Sequence, residues 1–127
     1  MKAELDKKLC KAFPKIFAQR KLPMNQTAMC WGFECGDGWY DLIYNLCEKI
    51  QKHCDEKGVQ VEAVQVKEKF GSLRFYVSHA DDVVYDLISK AEERSYRICQ
   101  KCGSNENVTS TDSGWIGYYC KDCIEEA

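Results

Sequence analysis

The chain has 127 residues and a formal net charge of −2, enough for one domain with a real core and too few for two. Its 45% hydrophobic, 12% aromatic and 30% charged residues suit a soluble globular domain, and the weakly acidic total argues against indiscriminate affinity for nucleic acid. No segment approaches the roughly 18 apolar residues that span a bilayer, and the opening MKAELDKKLCKAF lacks the apolar run of a signal peptide.

The charge is unevenly spread. Residues 1–21 carry seven Lys/Arg against Glu4 and Asp6, an excess of five, so the remainder is net acidic by seven. Nine cysteines is an odd number and a high density. Without a secretory signal, a reducing cytoplasm and thiolate-bound metal are expected rather than a disulfide scaffold.

Residues 3–13 predict a short helix. Leu5, Leu9 and Phe13 recur every four residues, Lys7, Lys8 and Lys11 fall mainly opposite, and Pro14 interrupts the pattern. A basic amphipathic segment suits a membrane or nucleic-acid contact, but with so few apolar side chains a surface helix docked on the core is the better reading. Residues 18–37, with Pro23, Gly32 and Gly36, predict an irregular loop, long enough to suggest a functional role. The loop ends in an aromatic and glycine-rich run, CWGFECGDGW.

The strongest local signal follows. Trp39, Leu42, Ile43, Leu46, Cys47, Ile50 and Cys54 keep helical spacing over four turns, with Asp37 as the expected N-cap and Gly58 as the C-terminal stop. Residues 59–68 read as a strand whose alternation changes phase between Val61 and Val64, which predicts a bulge. After a turn at Gly71 and Ser72, Leu73, Phe75 and Val77 alternate with Arg74 and Tyr76 on a second strand. Asp81 or Asp82 caps a third helix with Val84, Leu87, Ile88, Ala91, Ser95 and Ile98 on one face, leading directly into Cys99.

Cys99 and Cys102 are followed, after seventeen residues, by Cys120 and Cys123. Two CxxC pairs at this separation match a four-cysteine zinc pattern, in which two tight turns each present two thiolates and together complete a tetrahedron. One structural Zn²⁺ per chain is expected, with no position left for water or substrate. Residues 108–109 and 115–119 predict a small hairpin about Asp112 to Gly114. The expected fold is α+β: a central amphipathic helix packed on a β-hairpin, with a C-terminal zinc-ribbon or treble-clef-like lobe. Residues 1–98 form the core and 99–127 the zinc-binding lobe of one compact unit.

The GDGW run at 36–39, the stretch 65–77 (QVKEKFGSLRFYV) and the paired CxxC tail resemble a family of small phage and prophage proteins without an assigned biochemical activity. The resemblance covers the chain from about Pro14 onward. It implies viral or prophage origin and expression in a bacterial cytoplasm, and carries over no catalytic residue. Some relatives end the motif with histidine where this chain has Cys123, and either ligand suits zinc.

The remaining cysteines and histidines carry weaker signals. Cys30, Cys35, His53 and Cys54 leave a second metal site open, although Cys47 and Cys54 on an apolar face, and Cys10 beside the Leu5–Leu9 stripe, read as small hydrophobes. His53 and His79 have no motif partner, and HExxH, GxSxG and P-loop patterns are absent. A non-enzymatic role is expected. Gly36 to Gly38, near Lys67, Lys69 and Arg74, reads either as an anion site at a helix N-terminus or as an aspartate cap that already uses those amides. The expected binding surface is Trp31, Phe33, Asp37, Lys67, Lys69, Arg74 and Tyr76, aromatic and arginine types that anchor interfaces. A host protein is the expected partner, with inhibition of a host defence system as one form. Nucleic acid or a nucleotide is the alternative, with the acidic zinc lobe disfavoured for phosphate contact.

Overall fold

A computed structural model describes residues 1–112 and 114–126 of the chain. Among these residues the fold is mixed α+β, with three α-helices, a three-stranded sheet and a small C-terminal hairpin. Helix α2 (Tyr40–Lys57) is the central element, and Leu42, Ile43, Leu46, Cys47, Ile50 and Cys54 are all buried along one stripe. Gly58 ends it in the left-handed conformation (φ 68°), its amide donating to the Cys54 carbonyl. The start of α2 departs from expectation. Trp39 is fully buried but belongs to a 3-10 turn, Asp37–Trp39, that precedes the helix. Asp37 is not an N-cap, because its Oδ1 accepts the Lys2 amide at 2.7 Å.

The sheet is ordered β1-β2-β3, with β1 (Phe33–Glu34), β2 (Glu62–Lys69) and β3 (Ser72–Ser78). β2 and β3 are antiparallel, and their register shifts between Ala63 and Gln65, at the bulge that the change of phase predicts. The strand starts at Glu62, and Val59 lies outside it. β1 runs parallel to β2 within the stretch expected to be irregular, pairing Phe33 with Val66 and Glu34 with Lys67. Two residues are too short for any periodicity, so this strand leaves no signal in the sequence. Its placement overturns the surface role expected of Phe33, which is 4% exposed and packs edge-on against Phe17 with ring centroids 4.9 Å apart.

Helix α1 (Ala3–Ala12) docks through Leu9 and, just beyond its end, Phe13, whose ring meets Tyr44 of α2 at 4.9 Å. Arg20 then ties the following turns back to α1, pairing with Asp6 at 3.0 Å and donating to the Cys30 carbonyl at 2.8 Å. Helix α3 (Asp82–Ser95) is capped by Asp81, whose carboxylate accepts the Val84 amide at 3.0 Å. It lies along β3 and covers that strand's outer edge: Ser95 Oγ accepts the Leu73 amide at 2.9 Å and Glu92 accepts the Phe75 amide at 2.9 Å. Two backbone donors of an edge strand are thus satisfied by side chains of a helix.

The C-terminal segment forms hairpin β4 (Thr109–Ser110) and β5 (Tyr118–Tyr119), then a 3-10 turn, Ile124–Glu126. The hairpin is shorter than expected, and Ser113 of its anticipated turn lies outside the described residues. Among the described residues, no helix is long and apolar enough to cross a membrane.

Candidate functional site

Cys99, Cys102, Cys120 and Cys123 converge, with their sulfurs all within 4.8 Å of one another. The first turn is built by Gly103 at φ 85°, whose amide donates to the Cys99 carbonyl at 2.8 Å, while the Cys99 amide donates to Ser104 at 2.7 Å. The second is built by the Cys123 and Ile124 amides, which both donate to the Cys120 carbonyl. Cys102 Sγ and Cys120 Sγ are 3.7 Å apart. A tetrahedral ion with metal–sulfur bonds of about 2.3 Å requires sulfurs about 3.8 Å apart, so the cluster fits such an ion with little adjustment.

The electrostatics set the cysteines apart, with Cys99 held down and Cys102 and Cys123 raised. Burial pushes the Cys99 thiol up, but hydrogen bonds from the Cys120, Cys102 and Lys101 amides outweigh it and bring the thiol down to about 6. Cys123, hydrogen-bonded to Cys120 and partly desolvated, is pushed up to about 12. The backbone thus favours one thiolate in the cluster, and four thiolates together call for a cation. Lys101 and Glu126 form an ion pair that links the two turns.

The GDGW run positions this cluster. The Gly38 amide donates to the Gln100 carbonyl at 2.8 Å, and the Gly36 amide donates to Gln100 Oε1 at 3.1 Å. A Cβ on Gly36 would collide with the Gln100 carbonyl oxygen, and one on Gly38 with that of Cys99, so both positions require the absence of a side chain. Trp39 Nε1 completes the clamp, donating to the Ile98 carbonyl at 3.1 Å. Since both glycine amides are spent on Gln100, they are closed to an anion. The run serves as a socket for the first CxxC turn, and neither earlier reading of it stands.

A second attachment lies at the β2–β3 turn. A Cβ on Gly71 would stand 2.7 Å from the Tyr118 ring and 3.2 Å from Ile116, so the C-terminal hairpin packs on this glycine. Phe70 and Gly71 both take positive φ, 53° and 87°, and form the tip of the β-hairpin. The turn thus sits one residue earlier than expected, with Ser72 already in β3.

The remaining expected site residues divide. Trp31 is 63% exposed, and Tyr76 is 41% exposed. Lys67, Arg74 and Lys69 lie on the outer face of β2 and β3, with Lys67 directly across from Arg74 and Gln65 across from Tyr76. Lys67 and Arg74 are half-buried, whereas Lys69 is exposed. Phe33 and Asp37 are absent from this face. No second group of metal ligands forms among the described residues. Cys30 Sγ donates to the Thr27 carbonyl, Cys35 and Cys54 are buried, and His53 Nε2 lies 2.7 Å from Asp81. Burial pushes the Cys35 thiol up to about 12, and Cys10, half-buried beside Asp6, rises to about 11.

Sequence reasoning missed Phe70, Trp115 and Ile116. Trp115 is 95% exposed, and Phe70 and Ile116 are also exposed, beside the junction of the two lobes. A phenylalanine directly before the turn glycine was the available signal, because that position ordinarily favours Asn or Asp. Comparison with protein-family models, characterised proteins and solved structures finds no match for this chain.

Proposed function

We propose that this protein is a zinc-stabilised, non-enzymatic phage accessory protein that binds a host macromolecule. The ion is Zn²⁺, held by Cys99, Cys102, Cys120 and Cys123 in a treble-clef-like lobe. Four thiolates suit this soft, redox-inert cation and fill its coordination shell, so the metal's contribution is structural. The cysteines and their supporting amides bring the C-terminal hairpin against Gly71, and Gln100 fastens the lobe to Gly36 and Gly38.

The observation that carries the binding role is the outer face of β2 and β3. Lys67, Lys69 and Arg74 enter no ion pair among the described residues. Lys67 and Arg74 are directly opposed like charges, an arrangement that destabilises a sheet unless another role retains it. The resemblance to phage and prophage proteins supports the phage origin and the bacterial cytoplasm, and antagonism of a defence system is one form the activity takes. The expected binding surface set Trp31 and Phe33 beside Arg74, and burial of Phe33 leaves Trp31 and the basic face.

The test is capture from bacterial lysate by the immobilised chain and by a Lys67→Glu, Arg74→Glu variant with unchanged zinc content and melting temperature. A macromolecule retained by the first and lost by the second supports the reading. Equal retention by both, or retention by neither, overturns it.

A further inference from the structure

We propose that the outer sheet face and the adjoining aromatic tip bind single-stranded nucleic acid, an inference that rests on the binding role above and names its partner. Lys67 and Lys69 stand two residues apart on β2, about 7 Å along the strand, and Arg74 lies across from Lys67 on β3. Their charge is unpaired among the described residues and directed to one side of the sheet. A flexible polyanion supplies the missing countercharge at successive positions. Glu34 of β1 lies beside Lys67 in the same row and limits the patch on that side. Glu68 is turned instead to the Gly71 amide, accepting it at 2.8 Å.

Exposed aromatic side chains flank these cations. Tyr76 is exposed on β3 two residues along from Arg74, and the Lys69 ammonium lies 5.7 Å from the centroid of the Phe70 ring. Beyond Phe70, Ile116 touches the Gly71 position and Trp115 beside it is almost wholly exposed. Cations close to exposed rings match single strands, whose phosphates need charge and whose unpaired bases need stacking platforms. The Phe70 backbone supports this assignment. A bulky residue at positive φ is strained, and such strain concentrates where function requires the side chain. Asparagine would fit that turn better, so local stability does not account for a ring there.

Fluorescence anisotropy with fluorescein-labelled oligothymidylate, oligouridylate and a duplex of equal length tests the proposal on the metal-loaded full chain. Binding of a single strand is expected, with the log of the affinity falling against the log of salt at a slope of about −2 for three phosphate contacts. The two single strands separate DNA from RNA as the source, and the duplex should bind more weakly because its bases are already stacked. Lys67→Glu and Arg74→Glu should flatten the salt dependence. Phe70→Asn should weaken binding about fivefold or more while the melting temperature stays level or rises, a combination that loss of structure does not produce. Trp115→Ser, at a fully solvated position, provides the second ring variant. The proposal is overturned if neither single strand binds at low salt, if duplex binds as well, or if the ring variants bind like the parent. Lysate capture that survives nuclease and still depends on Lys67 and Arg74 would assign the face to a protein partner, retaining the broader binding role.

Discussion

The amide of Gly38 donates to the carbonyl of Gln100 across 2.8 Å, joining the turn before α2 to the middle residues of the first CxxC pair. The cysteine cluster and the core are therefore mechanically linked, since the socket contains no side chain and the cysteine turn fills the space. Gly38→Ala would force the Cys99 carbonyl and the Gly103 amide away. The expected cost is about 1–3 kcal/mol, the range of overpacked interiors, with weaker metal retention. Urea unfolding with a chelator competition checks both, and an alanine variant as stable and as metal-tight as the parent would show that the socket yields freely.

Ser95 is fully buried, and its hydroxyl both accepts the Leu73 amide and donates to the Glu92 carbonyl at 2.5 Å. Ser95→Ala leaves the Leu73 donor without its partner and should destabilise the fold by roughly 1–3 kcal/mol. Hydrogen exchange at Leu73 should accelerate in the variant. Unchanged protection would mean that the amide finds another acceptor.

Asp81 joins the end of α2 to the start of α3, meeting His53 at 2.7 Å and capping with the Val84 amide. The hydrogen bond to His53 first, and then the Val84 amide, hold its carboxyl below the ordinary 3.8. A depressed folded-state value means that the stabilisation is complete above about pH 4 and is lost as pH falls through the lower folded value. Asp81→Ala should accordingly lower the melting temperature at neutral pH, and the gap to the parent should close in acid. A gap constant down to pH 2 would remove the carboxylate from the explanation.

Much of this architecture is written in local pattern. The α2 stripe, its stop at Gly58, the bulge before Gln65, the Asp81 cap and the four cysteines each follow from spacing that neighbouring residues determine. What escaped depends on contacts distant in sequence. Gly36 and Gly38 look like a helix start until Gln100, more than sixty residues away, takes their amides. Phe33 looks like a loop aromatic until β2 pairs beside it, and Asp37 looks like a cap until the Lys2 amide claims it. Of the expected binding face, Arg74 and Tyr76 were legible by strand alternation, and Lys67 and Lys69 as cations of the same hairpin. Ile116 comes beside the β2–β3 turn only when the C-terminal hairpin folds onto Gly71.

The central claim is that one ion holds the C-terminal lobe against this socket. Native mass spectrometry of chain prepared without chelator, compared with the mass after acid denaturation, measures it directly. The account predicts a mass difference of one zinc per chain, abolished by Cys99→Ser together with loss of ordered structure in residues 99–123. A folded chain carrying no metal would contradict it.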